Sequence, residues 1–477
     1  MNDGKYSLGW GLGMSKPVNQ GTFRLPGVIA IAFIGATLGG AASAETLADA
    51  LVRGYKNSPE LDAGRANVRV FSEQAVQARS GGRPTVQGTV NLTTQFLGLE
   101  DFIFPTTLQL DVTQPLFTGG QVENATEAAE TRITAEEARL VVTEQNVLLT
   151  TVAAYMDVRR DQTLVSLGKN NVRVINEQLR AARERFDVGE VTRTDVAQAE
   201  ARLAAAQGAL AASQGQLELS REAYLRVVGA YPGRLAPPPP LPDLPKDLDE
   251  AISITLTDEP NVRAARLERV AASSDVRTAI GALLPQVSLL AQVQHADTVN
   301  IPFDGDTDAS LGFQVIIPFY TGGFNYSNVR EAQAEVDARE ADINTALRNA
   351  AQAAGNAWAD LRVARSSIKA GRLQVRAAQI AFEGVQEEAK VGARTTLDVL
   401  DAEQELLDAR GDLATAQRDE YVAAYSVLFA VGKLTTGHLG LDLGDVQSVT
   451  SYYDSVRDKT FGYSPDDDTV WSLSYRP

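Results

Sequence analysis

The 477-residue sequence contains no cysteine and only two histidines, His295 and His438. The missing cysteines exclude disulfide bridges, thiolate metal sites, a cysteine nucleophile and lipid attachment at an N-terminal cysteine. The two histidines lack the spacing of a metal site or a catalytic triad. Basic residues are in deficit, because 61 Asp and Glu stand against 44 Lys and Arg. This balance excludes a surface built for nucleic acid, which needs clustered cations.

Two short stretches resemble ligand-binding loops but lack residues that such loops require. VGKLTTG (431–437) contains Gly-Lys without the Gly-x4-Gly-Lys-Ser/Thr frame of a phosphate loop. DGDTDAS (304–310) starts like a calcium loop, but Ala309 and Val315 stand where the loop needs Gly and Glu. The sequence therefore indicates no enzyme activity, no metal and no cofactor.

An apolar stretch near the N-terminus, GVIAIAFIGATL (27–38), has 12 residues and is too short to span a bilayer. Two basic residues precede it, and the small residues Ala-Ser-Ala (42–44) follow it as a cleavage signal. We predict a secretory signal peptide at 1–44, cleaved before Glu45, with translation starting at the first or second methionine. A short membrane anchor is the alternative.

A phrase that ends in Thr-Gly-Gly occurs twice, as QPLFTGG (114–120) and IPFYTGG (317–323), 203 residues apart. Four further pairs keep this offset: Gly189 and Gly392, Asp195 and Asp398, Glu200 and Glu403, and Gly229 and Gly432. We predict two copies of one unit, at 45–235 and 247–433. A proline-rich linker, 236–246, would join them in an extended conformation, and 434–477 would form a tail.

Each repeat contains segments with a hydrophobic period of two residues. Apolar side chains alternate with polar ones over 86–96 and 108–115, and again over 287–293 and 311–317. The alternation predicts one two-stranded hairpin per repeat, with an apolar and a polar face. Strands of about 9 to 11 residues suit a membrane barrel that is apolar towards lipid and polar towards a water-filled lumen. A soluble half-buried sheet is the alternative that the strands alone allow.

The helical segments are too long for a compact fold. Residues 121–188 and 324–391 are runs of 68 residues without proline, and each would form a helix of about 100 Å. The 36-residue stretches 45–80 and 194–229 would be about half as long, so that two placed end to end match one long helix. The sequence therefore predicts an elongated helical tube that continues from a small sheet.

The repeated phrase marks the passage from sheet to tube. Its proline is expected to end a strand, because proline cannot donate a ladder hydrogen bond. Its aromatic residue suits the boundary between membrane and water. Its two glycines let the backbone turn sharply into the helix. The predicted strand-to-helix junctions are Pro115, Gly119, Gly120, Pro318, Gly322 and Gly323.

These repeats and two related turns, RFDVGEVTRTDVAQAE (185–200) and EAKVGARTTLDVLDAE (388–403), resemble the TolC family of outer-membrane channels. The tail SYYDSVRDKTFG (451–462) is similar to the periplasmic C-terminal segment of type I secretion members. The resemblance implies a mainly α protein with transmembrane β-strands. Three copies would form a 12-stranded outer-membrane β-barrel, continued by a long periplasmic α-helical barrel. The strands independently indicate that several copies must assemble, because a sheet of four strands has two unpaired edges, which are not stable in lipid.

The two related turns would be the periplasmic tips of two helical hairpins. A glycine permits each reversal, and Thr-x-x-Asp at 192–195 and at 395–398 forms a capping box for the returning helix. The resemblance implies that an inner-membrane-anchored adaptor protein contacts these tips. The residues assigned to that contact are Val188, Gly189, Val391 and Gly392.

The resemblance also assigns a periplasmic gate to Thr194, Asp195, Arg394, Asp398 and Asp401, and we add the neighbouring Arg193 as a candidate of this chain's own. Thr194, Asp195 and Arg394 would help to hold the entrance closed. Asp398 and Asp401, which share a helix side, would project towards the pore axis and favour cations. Capping alone would also explain Asp195, and a solvated helix face would explain Asp401.

One departure from the family affects this gate. Ala389 replaces a tyrosine of the closing network, and Arg193 stands where an apolar residue is usual. The closed gate of this chain would therefore use Arg193 or Arg394 with Asp195 or Asp398.

The resulting hypothesis is a passive exit duct in the outer membrane of a Gram-negative bacterium, embedded in its lipid. An adaptor would open it, and an inner-membrane ABC or proton-driven pump would drive export, in type I protein secretion, drug efflux or both. The alternative is a periplasmic coiled-coil scaffold, or an adhesion-type structural protein, without a pore. Such a scaffold would be extracted by a salt wash, whereas a barrel would need detergent.

Overall fold

The computed structural model describes residues 44–96, 98, 102–299, 305–444 and 450–463, all within one unit of the chain, 44–477. The predicted signal peptide lies outside the described residues except for Ala44, and so does part of the predicted tail. Both repeats follow the same order: two shorter helices, paired strands, one long helix and a returning helix.

The first repeat consists of α1 (Leu47–Lys56), α2 (Pro59–Ser80), β1 (Thr85–Leu92), β2 (Gln95–Phe96), β3 (Phe102–Ile103), β4 (Pro105–Phe117), α3 (Gln121–Asp187) and α4 (Arg193–Val228). The second consists of α5 (Leu248–Asp258), α6 (Pro260–Gly281), β5 (Gln286–Thr298), β6 (Asp306–Ile316), α7 (Phe324–Lys390) and α8 (Thr396–Ala430). A short helix, α9 (Thr450–Val456), lies in the tail.

The predicted helix 45–80 is wrong in one respect, because it is divided into α1 and α2. The side chain of Ser58 accepts a hydrogen bond from the amide of Leu61, and Pro59 takes the first helical position. A proline there loses no intrahelical bond, whereas inside one continuous helix it would remove a bond and clash with the preceding turn. The second repeat breaks in the same way between α5 and α6, at Pro260.

The two long helices confirm the predicted lengths to within a residue, since α3 and α7 each have 67 residues. Each runs beside its returning helix, and α3 also contacts α8, which joins the two repeats. The largest apolar cluster lies at these contacts and includes Leu148, Tyr155, Tyr224 and Leu428. None of the helices described here is both long and apolar enough to cross a bilayer.

The start of the first repeat is fastened to the linker. The hydroxyl of Tyr155 donates to the carbonyl oxygens of Glu45 (3.0 Å) and Ala236 (2.8 Å). The carboxylate of Glu45 accepts from the hydroxyl of Tyr224 at 2.9 Å and pairs with Arg53 at 3.1 Å. The linker, 236–246, has no helix or strand and also contacts α8, where the hydroxyl of Tyr421 donates to the carbonyl oxygen of Pro239 at 2.6 Å.

The four long strands form one antiparallel sheet in the order β1-β4-β5-β6. The two hairpins, β1–β4 and β5–β6, confirm the predicted hairpin in each repeat, and β4 pairs with β5 to join them. Among the described strands, β1 and β6 each have one edge without a partner.

The register places most of the apolar residues of the four strands on one face, although Leu290 lies on the other face, opposite Thr113 and Gly312. One row across the sheet is Val86, Val112, Ala291 and Leu311, and the adjacent row is Gln87, Asp111, Gln292 and Ser310. Because side chains alternate along a strand, these rows point to opposite faces. The apolar face is uncovered in the single chain, with Leu311 75% and Phe313 73% exposed.

Pro115 does not end its strand, contrary to the prediction. Strand β4 continues to Phe117, and its register on β5 shifts between these two residues. Strand β1 begins at Thr85, opposite Thr113, so it no longer flanks β4 at the proline. The missing N–H therefore costs no bond on that side. In the second repeat β6 ends at Ile316, just before Pro318.

The tail returns along the helices towards the sheet. Helix α9 contacts α2, and the hydroxyl of Tyr452 donates to the carboxylate of Glu73 at 2.7 Å. Arg83, two residues before β1, donates to the carbonyl oxygens of Lys459 (2.8 Å) and Arg457 (2.9 Å). These bonds fix the tail beside α2 and the turn that leads from α2 into β1.

Candidate functional site

Each helical hairpin turns at a glycine in the left-handed region. Gly189 has a φ of +81° and Gly392 a φ of +78°, and a Cβ on either would meet nothing within 4 Å. Backbone conformation, rather than crowding, therefore requires glycine at both turns. The adjacent Val188 and Val391 are 72% and 80% exposed. The residues predicted to meet an adaptor thus form two exposed apolar tips.

Both predicted capping boxes are present. The carboxylate of Asp195 accepts from the amide of Thr192 at 2.8 Å, and that of Asp398 accepts from the amide of Thr395 at 2.9 Å. Each threonine hydroxyl accepts the return bond from the aspartate amide. The bonds from the threonine backbone, then those from the hydroxyls, lower the pKa of both aspartates below the usual range.

The two tips of one chain border a common groove of about 460 Å³. The first tip contributes Glu190, Thr192 and Asp195, and the second contributes Lys390, Arg394 and Thr395. Arg394 does not bind Asp195 within the chain. Its Nε donates to the carboxylate of Glu388 at 2.8 Å, which raises the pKa of the arginine.

The remaining predicted gate residues of the first tip are open to solvent. Arg193 and Thr194 are exposed at the start of α4. Within the described residues, neither side chain has a hydrogen-bonding or ionic partner. Arg394 borders the groove, and neither Arg394 nor Arg193 forms the predicted pair with Asp195 or Asp398 inside one chain.

Asp401 is held by a residue that sequence reasoning missed. Its carboxylate binds a guanidinium nitrogen of Arg202 at 2.6 Å, which links α8 of the second repeat to α4 of the first. Beside this pair, Leu400 of α8 packs into the apolar cluster of the α3–α4 hairpin with Leu179 and Ala199. The two hairpins are thus joined near their tips by one ion pair and one buried leucine.

Asp398 and Asp401 begin a longer series of carboxylates, here called the α8 acidic row. Its members recur at spacings of three, four or seven residues and so share one side of the helix: Asp398, Asp401, Glu405, Asp408, Asp412 and Asp419. Their counterparts in α4, 203 residues earlier, are Asp195, Gln198, Arg202, Ala205, Ala209 and Gln216. Aligning the repeats residue by residue could have revealed both the row and the charge reversal at Arg202.

One carboxyl near the tips is buried. Glu403 is 5% exposed, and burial raises its pKa, although Arg410 and Arg173 partly oppose the shift. Its counterpart Glu200 instead forms an exposed ion pair with Arg183 at 2.6 Å. The position equivalent to Arg183 in the second repeat is Gln386, so Glu403 has lost the corresponding cation.

The family of proteins described as outer membrane efflux protein matches residues 52–230 and 251–433, nearly all of both repeats. The chain belongs to this family. Outer membrane efflux protein BepC of Brucella suis biovar 1 is 38% identical over 425 residues, which are 89% of this chain and 93% of BepC. Outer membrane protein TolC of Salmonella enteritidis is 26% identical over 342 residues, 69% of each chain.

A solved structure of CusC superposes with a TM-score of 0.71 at 18% identity, over 82% of this chain and 92% of that one. This likeness shows the fold of the outer membrane efflux channels. The family match confirms the predicted outer-membrane location, extending into the periplasm, and the predicted efflux or secretion channel. It disfavours a scaffold without a pore.

Proposed function

We propose that three copies of this outer membrane efflux protein form a passive exit duct that is closed at its periplasmic tips. An adaptor protein opens the duct, and an inner-membrane ABC or proton-driven pump supplies the energy. The observation that carries the proposal is the register of the sheet, which gathers most apolar residues of the four strands on one uncovered face.

The sheet supports a trimeric barrel. Its apolar face exposes large side chains such as Leu311 and Phe313, and among the described strands β1 and β6 each leave one edge unpaired. Pairing β6 of one copy with β1 of the next closes twelve strands around a lumen lined by the polar rows. The apolar face then meets lipid, and no edge remains in the membrane.

The long helices support a tube below this barrel. Helices α3 and α7 have 67 residues each and run beside their returning helices α4 and α8, so each chain contributes two long hairpins. Three α3–α4 and three α7–α8 hairpins would then alternate around the duct.

The tips support a gate. Asp398 and Asp401 from three copies would place six carboxylates at the entrance, where they would favour cations over anions. The pair between Arg202 and Asp401 holds the two hairpins of one chain together. Opening the entrance requires the hairpins to separate, so this pair and the contact of Leu400 must break or slide. Adaptor docking at Val188 and Val391 would supply the energy.

The cargo class is drug-like small molecules, secreted proteins or both. The family match supports efflux, and the YYDSVRD tail supports type I secretion. No step of chemistry is assigned to the chain.

Planar-bilayer recordings of the purified, detergent-extracted protein test the proposal. We expect cation-selective channels in the wild type and weaker cation preference in D398N/D401N, because the side-chain oxygen of asparagine can still accept the hydrogen bond from the amide of Thr395 but carries no charge. D337N/D342N, which removes two exposed carboxylates from the upper part of α7, is the control and should keep the selectivity. Absence of any conductance would contradict the proposal that the protein forms a channel. Unchanged ion selectivity in D398N/D401N would show that these carboxylates do not line the constriction.

A further inference from the structure

Helix α7 carries five exposed cations in a straight line, here called the α7 basic row. They recur at alternating spacings of three and four residues: Arg362, Arg365, Lys369, Arg372 and Arg376. Such spacing keeps side chains on one side of a helix. The row covers about 21 Å of the helix, or four turns.

The row is nearly unpaired in a strongly acidic protein. The chain has a net charge of −17, yet only Arg365 has a carboxylate nearby, that of Glu420 at 3.6 Å. Within the described residues, the other four cations have no acidic partner within 4 Å. Aligned like charges repel one another, so the row costs free energy unless an anionic surface covers it.

The repeated architecture shows that the row is not needed to fold such a hairpin. The counterparts in α3 are Arg159, Gln162, Ser166, Lys169 and Arg173. Two of these cations already have partners in the same chain: Arg159 donates to the carbonyl of Ala236, and Arg173 pairs with Glu177 at 3.0 Å. Of the two repeats, the second presents an uninterrupted line of five cations, and within the described residues four of them have no acidic partner.

The basic and acidic rows lie on opposite surfaces of the α7–α8 hairpin. A groove of about 500 Å³ is bordered by Asp412 and Asp419 of the acidic row and by Asp360 and Ser367 of α7. At 100° per residue, Asp360 and Ser367 lie on the side of α7 away from the basic row. If the acidic row lines the duct, as the proposed function requires, then the basic row faces the periplasm.

Neither lipid nor a second copy is suited to cover the row. Arg362 lies 38 residues along α7 from its start at Phe324, or about 57 Å from the sheet, too far for lipid headgroups. Gly168 contacts Leu210 in the first hairpin as Gly371 contacts Leu413 in the second, so the region of α4 around Leu210 is level with the row. Residues 205–217 of α4, level with Lys369, Arg372 and Arg376, contain no Asp or Glu. Glu218 and Glu222, near the level of Arg362, already bind Arg221 and Tyr231 of their own chain.

We propose that the α7 basic row is a docking surface for an acidic helix of a periplasmic partner protein. A helix with carboxylates at spacings of three and four residues, laid along α7, would meet the cations one by one. A shallow groove of about 360 Å³ beside Trp358 and Leu361, at the upper end of the row, would receive an apolar side chain of the same helix. This surface is separate from the tips at Val188 and Val391.

Designed peptides test the proposal directly. One 28-residue helical probe carries Glu at spacings of three and four residues on one side, and a second has the same composition in scrambled order. Fluorescence anisotropy at two salt concentrations measures their binding to the full protein in detergent. We expect the striped peptide to bind about tenfold more tightly than the scrambled one, and more weakly at high salt.

The matched variants are K369E/R372E in the row and R330E/R348E, two exposed arginines of α7 outside it. Both change the net charge equally. We expect the first to weaken binding of the striped peptide about tenfold or more and the second to leave it unchanged. Equal binding of both peptides, or of both variants, would overturn the proposal. Tighter binding of a soluble carboxylate-bearing glycan than of the striped peptide would assign the row to a cell-wall polymer and would also overturn it.

Channel recordings separate this proposal from the proposed function on which it rests. K369E/R372E should keep the ion selectivity of the wild type, because its residues lie outside the duct. A large change in selectivity would place the row inside the duct and overturn the docking surface, while leaving the channel itself intact.

Discussion

At the scale of single residues, the duplication supplies a comparison within one chain. Glu200 and Glu403 occupy equivalent positions, but the first is exposed and paired with Arg183, whereas the second is buried. A surface ion pair contributes little to stability, while a buried carboxylate that ionises costs free energy. The two repeats therefore keep the same backbone near the tips but differ in the charge environment of equivalent residues.

Glu403 gives a prediction about pH. Burial raises the pKa of Glu403 above its ordinary value of 4.5, with Arg410 and Arg173 facing it from α8 and α3. The folded state therefore binds the proton more tightly than the unfolded state, and the wild type loses stability as pH rises past 4.5. We expect E403Q to have a higher denaturation midpoint than the wild type at pH 7, and the difference to vanish near pH 4.

The control for this measurement is E200Q. It removes only an exposed pair and should lower stability at pH 7 by no more than about 1 kcal/mol. A lower midpoint for E403Q than for the wild type at pH 7 would mean that the two arginines stabilise the ionised form more than burial penalises it.

At the scale of elements, local sequence predicts most of the secondary structure. Both long helices follow from the absence of proline over 67 residues, and both caps follow from Thr-x-x-Asp. The sequence does not predict the break at Ser58, because a proline at position 59 can either kink one continuous helix or occupy the first turn of a new one. Tertiary packing decides between the two. The pair of Arg202 with Asp401 joins positions 199 residues apart, which no local pattern encodes.

The two sheet-to-helix junctions give a prediction at this scale. Gly119 and Gly322 have φ angles of +66° and +65°, so alanine at either costs about 1 to 2 kcal/mol. A Cβ on Gly119 would also lie 2.3 Å from the carbonyl oxygen of Gly281, whereas at Gly322 nothing lies within 4 Å. We expect G119A to lower the stability of the folded protein clearly more than G322A in urea titrations. Equal losses of stability in the two variants would show that the close contact between residue 119 and the end of α6 can widen without a cost in free energy.

At the scale of the whole molecule, the sheet and the helices are suited to different surroundings. The sheet has an uncovered apolar face and suits lipid, while the helices are polar enough for the periplasm and long enough to extend the lumen away from the membrane. Alternation within each strand was predictable from sequence. The apolar sides of the four strands lie on one face because of the register between strands of different repeats. Only the structure provides that register.

Adjacent residues of β6 test which face meets lipid. Phe313 and Gln314 point to opposite faces, paired with Leu289 and Ser288 of β5. Arginine on the lipid face of a barrel costs about 2 to 4 kcal/mol near the bilayer midplane, whereas arginine in the lumen meets water. We therefore expect F313R to reduce the amount of the proposed trimer in outer-membrane fractions severalfold, as measured by semi-native electrophoresis, and Q314R to assemble like the wild type. If Q314R were the more damaging of the two, the apolar face would have to be buried inside the assembly, and the sheet could not be a membrane barrel with a water-filled lumen.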